Sequence, residues 1–137
     1  MAKRISSRNA AVHFVVSQLY RRGYKVEIQE GRKKECDIVA RNPRNRRITI
    51  DVKGLKNKTN WPTLKPRVRK NHYVILVSFI NRFADLTLQP EVFVVPSGHI
   101  RTYTSHWSGR RSQKAIGYSR MKETKYKNGW TLLARDL

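Results

Sequence analysis

The sequence predicts a single α/β domain with a central mixed sheet flanked by helices. Three observations lead to this prediction: a helical repeat of apolar residues near the start, alternating apolar and polar residues in the segments that follow, and one continuous apolar run in mid-chain. The 137 residues include no linker-like segment and are enough for one hydrophobic core. We therefore treat residues 1–137 as one domain, with a core over about 7–95 and a basic C-terminal extension over 96–137.

The first predicted element is a helix over residues 7–22. Val12, Val15 and Leu19 recur at the spacing of one helix face, and Gly23 supplies a stop signal. Serine precedes this repeat and can cap the helix, while arginines near its end suit the negative pole of the helix dipole.

Three strands are predicted after the helix. In the segment 24–28 apolar residues alternate with polar ones, as in a half-buried strand. The next two strands, at about 35–40 and 47–53, are joined by a polar segment containing Pro43, which indicates a turn.

The register of this hairpin decides which side chains share a face. Strand side chains alternate with period two, so Asp51 and Lys53 project to the same side. A hairpin symmetric about Arg44 places Asp37 directly opposite Asp51, and it also places Glu35 opposite Lys53. Opposed Cβ atoms lie about 4.5 to 5.5 Å apart, which lets two carboxylates share one cation. A slip of one residue would turn Asp37 to the other face, so the interpretation depends on this register.

The rest of the chain is predicted to contain a basic loop, two strands and an irregular tail. The stretch 54–71 combines many basic residues with prolines, which indicates a mobile loop with room for a short helix before the next strand. Residues 73–77 are continuously apolar, as in a strand buried on both faces. A further strand is predicted over 91–95, and the tail after it interleaves basic and aromatic residues.

The charge of the chain indicates a polyanionic partner. Lys and Arg outnumber Asp and Glu by 30 to 9, which gives a formal charge of +21. Such a field attracts phosphate backbones, although it carries no information about chemistry. The sequence has neither a lipidation motif nor a basic amphipathic helix apart from the core, so we expect a nucleic acid rather than a membrane as partner. The single cysteine, Cys36, predicts a reducing, cytoplasmic environment.

The few acids are concentrated in one part of the chain, since five of the nine fall between residues 27 and 51. Carboxylates that approach a polyanion need a bridging ion, and we predict a divalent metal. Mg²⁺ prefers hard oxygen ligands and keeps several waters, so two carboxylates and one backbone carbonyl are sufficient. Asp37, Asp51 and the Val52 carbonyl supply that set, while Lys53 stabilises charge or orients the attacking water.

Two segments on adjacent predicted strands match a known pattern: 36–40, which contains Asp37, and 48–53, which ends in Asp51-Val52-Lys53. With the leading helix and the apolar strand 73–80, they resemble the PD-(D/E)XK nuclease superfamily, whose restriction-endonuclease-like fold also occurs in archaeal Holliday junction resolvases. The resemblance covers about residues 7–80. It implies an αβββαβ core, with Asp37 and Asp51 as ligands of Mg²⁺, or of Mn²⁺ in its place. It also implies the Val52 carbonyl as a third ligand and Lys53 as the catalytic lysine.

The chain departs from this family pattern at two places. Cys36 replaces the proline of the motif name, a position that performs no chemistry. Many members carry a Glu on the first helix that completes the metal site, whereas the segment 1–26 contains no acid. In place of this Glu, we consider Glu35 or Asn9 as an additional ligand of the metal. The missing Glu leaves two interpretations open, a modified metal site or an inactive nuclease that kept its DNA-binding surface.

We predict a metal-dependent DNA endonuclease that hydrolyses phosphodiester bonds on branched or duplex DNA, with a homodimer as one expected form. The alternatives are a catalytically inactive DNA-binding module of the same fold and a basic RNA-binding protein. For Trp61, packing of the loop against the core is an alternative to stacking on a base. The predicted DNA contacts are Lys56, Lys58, Trp61, Lys65, Arg67, Arg69, Lys70, Arg110 and Arg111.

Overall fold

The chain forms two β-sheets, one long helix and several short helices. The computed structural model describes residues 6–31, 34–63, 67–107 and 110–135. The helices are α1 (Ser7–Arg21), α2 (Ile100–Tyr103), α3 (Tyr118–Lys122) and α4 (Leu132–Arg135). The strands are β1 (Lys25–Ile28), β2 (Ile38–Arg41), β3 (Arg47–Leu55), β4 (Asn60–Thr63), β5 (His72–Ser78), β6 (Glu91–Pro96), β7 (Thr104–Trp107) and β8 (Arg110–Gly117).

The larger sheet has five strands in the order β1-β2-β3-β5-β6. Neighbouring strands are antiparallel except for β3 and β5, which are parallel. The sheet is therefore mixed, as predicted, and every residue of β5 is buried inside it. This burial confirms the expectation drawn from the continuous apolar run.

Helix α1 covers one face of the larger sheet and confirms the first predicted element. The Ser6 side chain caps the helix by accepting a hydrogen bond from the Asn9 backbone N–H at 3.1 Å. The apolar face of α1 includes Val15 and Leu19 and packs in one core with strand residues such as Ile50. None of the helices in the described ranges combines the length and the apolar character that a membrane crossing requires.

The smaller sheet, with the order β4-β8-β7, contributes to a second core on the other face. Trp61 of β4 is fully buried there, with its ring centroid 5.9 Å from that of Phe93. Its indole N–H donates to the Val77 carbonyl at 3.1 Å. Residues beyond 96 complete this core: Ile100, Ile116, Tyr118, Met121 and Tyr126.

The structure corrects three sequence predictions. The stretch 54–71 is not a loop with a helix, because β3 continues to Leu55 and β4 follows as an edge strand, where Pro62 is tolerated. The αβββαβ core is not observed, since a strand rather than a helix occupies the described connection between β3 and β5. The tail is not an irregular extension, because its described residues form β7, β8 and α2 to α4. Residues such as Ile100 and Met121 pack into the second core, whereas Trp130 and Leu133 pack into the first.

Gly54 lies where the first turn of α1 meets β3. A Cβ atom at this position would lie 2.5 Å from the Ser7 carbonyl oxygen and 3.0 Å from the Ala11 Cβ. The absence of a side chain therefore lets the start of α1, which carries Arg8, approach the strand that carries Asp51.

We expect Gly54→Ala to lower the free energy of unfolding by about 1 to 3 kcal/mol, because the methyl group would overlap the helix backbone. Urea unfolding monitored by circular dichroism measures the change. Gly98→Ala is the matched control, since its Cβ would meet only Val68 Cγ1 at 4.0 Å. Equal losses in the two variants would contradict the close approach of α1 to β3.

Candidate active site

The predicted register of the β2–β3 hairpin is confirmed. Ile38 pairs with Ile50, which is the pairing that symmetry about Arg44 requires. The strand itself begins at Ile38, three residues later than predicted, and Asp37 precedes it. The Asp37 backbone N–H donates to the Ile50 carbonyl at 3.0 Å, while its side-chain Oδ2 accepts from the Val52 N–H at 2.8 Å. Asp37 is thus held against β3 directly before β2 begins.

Asp37 and Asp51 line one cleft of about 420 Å³, and Val52 and Lys53 line it with them. The N–H and C=O of a strand residue point to the same side. Because the Val52 N–H points to Asp37, the Val52 carbonyl points to that side as well. The structure therefore brings together the four residues that the sequence predicted.

Two cations are bound to Asp37. Its Oδ1 accepts from Arg8 Nη2 at 2.7 Å and from Lys34 Nζ at 2.6 Å. Burial raises the pKa of Asp37, but the hydrogen bonds from Lys34 and Val52, together with the charges of Lys34 and Arg8, outweigh burial and hold the pKa below its ordinary value. Sequence reasoning missed both cations, although Arg8 lies in the first turn of the helix where an acid was sought.

Asp51 is bound instead by a buried histidine. Its Oδ2 lies 3.1 Å from His72 Nε2, and His72 Nδ1 lies 2.7 Å from Thr49 Oγ1. His72 begins β5 and is the register partner of Thr49 in β3. No local pattern in the sequence indicates this contact, because it depends on the parallel pairing of two strands that are distant in the chain.

Of the two additional ligands that were considered, Glu35 lines the same cleft as Asp37 and Asp51, whereas Asn9 does not. The Glu35 side chain is 62% exposed at the cleft, with Oε2 3.9 Å from Arg69 Nη1, so its ion pair is with Arg69 and not with Lys53. Asn9 lines a neighbouring cleft that includes Asp37 but not Asp51. Within the described residues, no three His, Cys, Asp or Glu side chains are grouped as a metal site. The site consists of two carboxylates and a carbonyl, and α1 contributes Arg8 rather than an acid.

The residues predicted to contact DNA are placed differently from one another. The prediction for Trp61 is wrong, because its complete burial leaves no ring face for a base. Lys65 lies outside the described residues, and Arg110 and Arg111 lie on β8 with side chains outside the described set. Arg67 lines the cleft and donates to the Glu35 carbonyl at 2.8 Å. The others are exposed: Lys56, Lys58, Arg69 and Lys70.

Comparisons with known proteins identify a shared fold but no family. No family model and no curated protein matches the chain. Among solved structures, the chain is similar to a bacterial homing endonuclease, I-Ssp6803I, with a TM-score of 0.56 and 14% sequence identity. The superposition covers 93% of this chain and 90% of that chain. At this identity the likeness shows the fold alone, and membership of the PD-(D/E)XK superfamily stays a prediction.

We expect Asp37→Asn to lower the free energy of unfolding by about 1 to 3 kcal/mol at neutral pH, because Asn cannot pair with two cations. The pKa of Asp37 in the folded protein is below the ordinary 3.8. Its stabilising contribution is therefore complete above about that pH and is lost as the pH falls through the folded pKa. Urea unfolding at a series of pH values should show the two proteins converging in acid.

Glu123→Gln is the control, because it removes one exposed negative charge far from Asp37 in the sequence. It should change the free energy of unfolding little at any pH. A difference between wild type and Asp37→Asn that stays constant down to acid pH would show that the ionised carboxylate is not the source of the stability.

Proposed function

We propose that this protein is a metal-dependent endonuclease that hydrolyses phosphodiester bonds in DNA. The observation that supports this most directly is the convergence of Asp37, Asp51, the Val52 carbonyl and Lys53 on one cleft. The charge of +21 supports a phosphate-rich substrate. The likeness of the fold to a homing endonuclease supports DNA as that substrate.

The donor atoms at the cleft fit a hard divalent cation. Two carboxylates and a carbonyl are the oxygen ligands that Mg²⁺ uses, with water completing its octahedral shell, and Mn²⁺ accepts the same donors. Both Asp37 oxygens already accept hydrogen bonds, so a metal shares or displaces the contacts of Arg8 and Lys34. When bound, the ion would polarise a phosphoryl oxygen and lower the pKa of a coordinated water.

The side chains around the two acids would bind and orient the substrate. The exposed Lys53 ammonium is placed to stabilise negative charge that develops on the phosphoryl oxygens. Arg8 and Arg67 line the same cleft, and their guanidinium groups suit bidentate contact with a phosphate. Exposed cations beyond the cleft would bind the flanking phosphates: Lys56, Lys58, Arg69 and Lys70.

A catalytically inactive DNA-binding module is the second candidate. It is favoured by the two cations on Asp37 and by the presence of Arg8, rather than an acid, on α1. In such a module, Arg8 and Lys34 neutralise Asp37 in place of a metal, and the basic surface binds DNA without cutting it. A basic RNA-binding protein has less support, because Asp37 and Asp51 lie in one cleft.

We expect the wild-type chain to cut DNA in Mg²⁺. Asp51→Asn should lower the cleavage rate by a factor of about 100 or more, because one of two anionic ligands is lost. The assay presents linear, supercoiled, single-stranded and branched DNA, each with Mg²⁺ and with Mn²⁺. Asp85→Asn is the matched control, since this exposed acid lies on a loop and lines none of the described clefts. DNA binding at several salt concentrations is measured for all three proteins.

Tight, salt-sensitive binding without cleavage of any substrate would identify the inactive module. Cleavage that survives Asp51→Asn would place the active site elsewhere in the chain.

We also expect Arg8→Gln to bind Mn²⁺ about 3- to 10-fold more tightly than wild type, because the guanidinium no longer competes for Asp37 Oδ1. Titration followed by electron paramagnetic resonance measures free Mn²⁺. Arg101→Gln is the control, as it removes the same charge from an exposed residue of α2. An equal gain in both variants would assign the effect to net charge instead of to the contact with Asp37.

A further inference from the structure

His72 lies directly behind Asp51, between the carboxylate and the interior of the sheet. Its side chain is 2% exposed, whereas that of Asp51 is 26% exposed at the cleft. The 3.1 Å contact between His72 Nε2 and Asp51 Oδ2 therefore reaches the carboxylate from its buried side. The exposed part of the same carboxylate faces the cleft.

The hydrogen bonds of the ring define its tautomer. A carboxylate accepts hydrogen bonds and donates none, so in a ring that carries one proton that proton lies on Nε2. Nδ1 is then an acceptor, and the Thr49 hydroxyl donates to it at 2.7 Å. Thr49 thereby keeps the proton on the nitrogen that faces Asp51.

Backbone pairing within the sheet positions the contacts from Thr49 through His72 to Asp51. Thr49 and His72 are register partners in the parallel pair of β3 and β5. The Thr49 backbone N–H also donates to the Asn71 carbonyl at 3.0 Å, directly before His72. Both side chains are buried, so neither can turn away without leaving a polar atom unpaired.

The two acids of the cleft have different kinds of partner. Asp37 is paired with two cations, whereas no Lys or Arg of the described residues forms an ion pair with Asp51. The hydrogen bond from His72 orients the Asp51 carboxylate, and such a second partner is typical behind metal-binding carboxylates.

We infer that His72, with its proton directed by Thr49, is a positioning residue that fixes the Asp51 carboxylate for a divalent cation. The inference rests on the proposed function, because it assigns Asp51 as a ligand of the catalytic metal. His72 itself touches neither the metal nor the DNA; it holds Oδ2 so that the remaining lone pairs of Asp51 serve the cleft.

The test compares Mn²⁺ affinity in the full chain, measured by electron paramagnetic resonance, with DNA cleavage and urea unfolding. His72→Leu should weaken Mn²⁺ binding about 10- to 100-fold. His72→Gln should recover most of that loss, because its amide N–H can replace the Nε2–H donor. Thr49→Val keeps the shape of the strand side chain but frees the ring to change tautomer, and it should cause a smaller loss.

His99→Leu is the matched control, because His99 bonds to the Tyr126 hydroxyl and does not line the cleft with Asp51. Its Mn²⁺ affinity should equal that of wild type. If His72→Leu does not fold, His72→Gln and Thr49→Val still decide the outcome against wild type.

Unchanged Mn²⁺ affinity in folded His72→Leu, or in Thr49→Val if the leucine variant does not fold, would overturn the inference and leave the proposed function standing. Equal impairment in His72→Gln and His72→Leu would also overturn it, since the histidine would then act by its shape alone. A wild-type chain that neither binds Mn²⁺ nor cuts DNA would overturn both.

Discussion

Strand β3 pairs with β2 along one edge and with β5 along the other, and the candidate site depends on the point where the first pairing stops. Past Ile38 the β2 edge of β3 is open, and the Val52 N–H that would continue the ladder binds the Asp37 carboxylate instead. The other edge stays paired, which brings His72 behind Asp51. Strand β3 thus binds Asp37 along its β2 edge. Along its β5 edge it pairs with the strand that supplies His72 to Asp51.

The electrostatics of the two acids follow from these edges. Asp37 lies at an open end, where side chains from α1 and from the segment before β2 can reach it, and Arg8 and Lys34 do so. Asp51 lies beside a fully paired edge, where the buried His72 ring is its partner. Within the described residues, Asp37 is thus paired with Arg8 and Lys34, whereas Asp51 forms no ion pair with a Lys or Arg.

The smaller sheet packs against the central sheet beside the candidate site. Trp61 is buried against the face of the central sheet that carries Asp51, and the C-terminal residues that surround it complete that core. The likeness to the homing endonuclease spans 93% of the chain, so the shared fold includes this region. Trp61 also lines the cleft, so this core lies directly beside the acids.

Short-range patterns are enough to predict helix α1, the strands of the β2–β3 hairpin and the symmetry of this hairpin about Arg44. These features follow from periodicity and turn composition over short distances, which a single sequence displays. The three-dimensional arrangement is needed to establish the burial of Trp61, the cations on Asp37 and the contact of His72 with Asp51. Each of these depends on contacts between distant segments, whose register is set by packing and by backbone hydrogen bonds rather than by any local pattern.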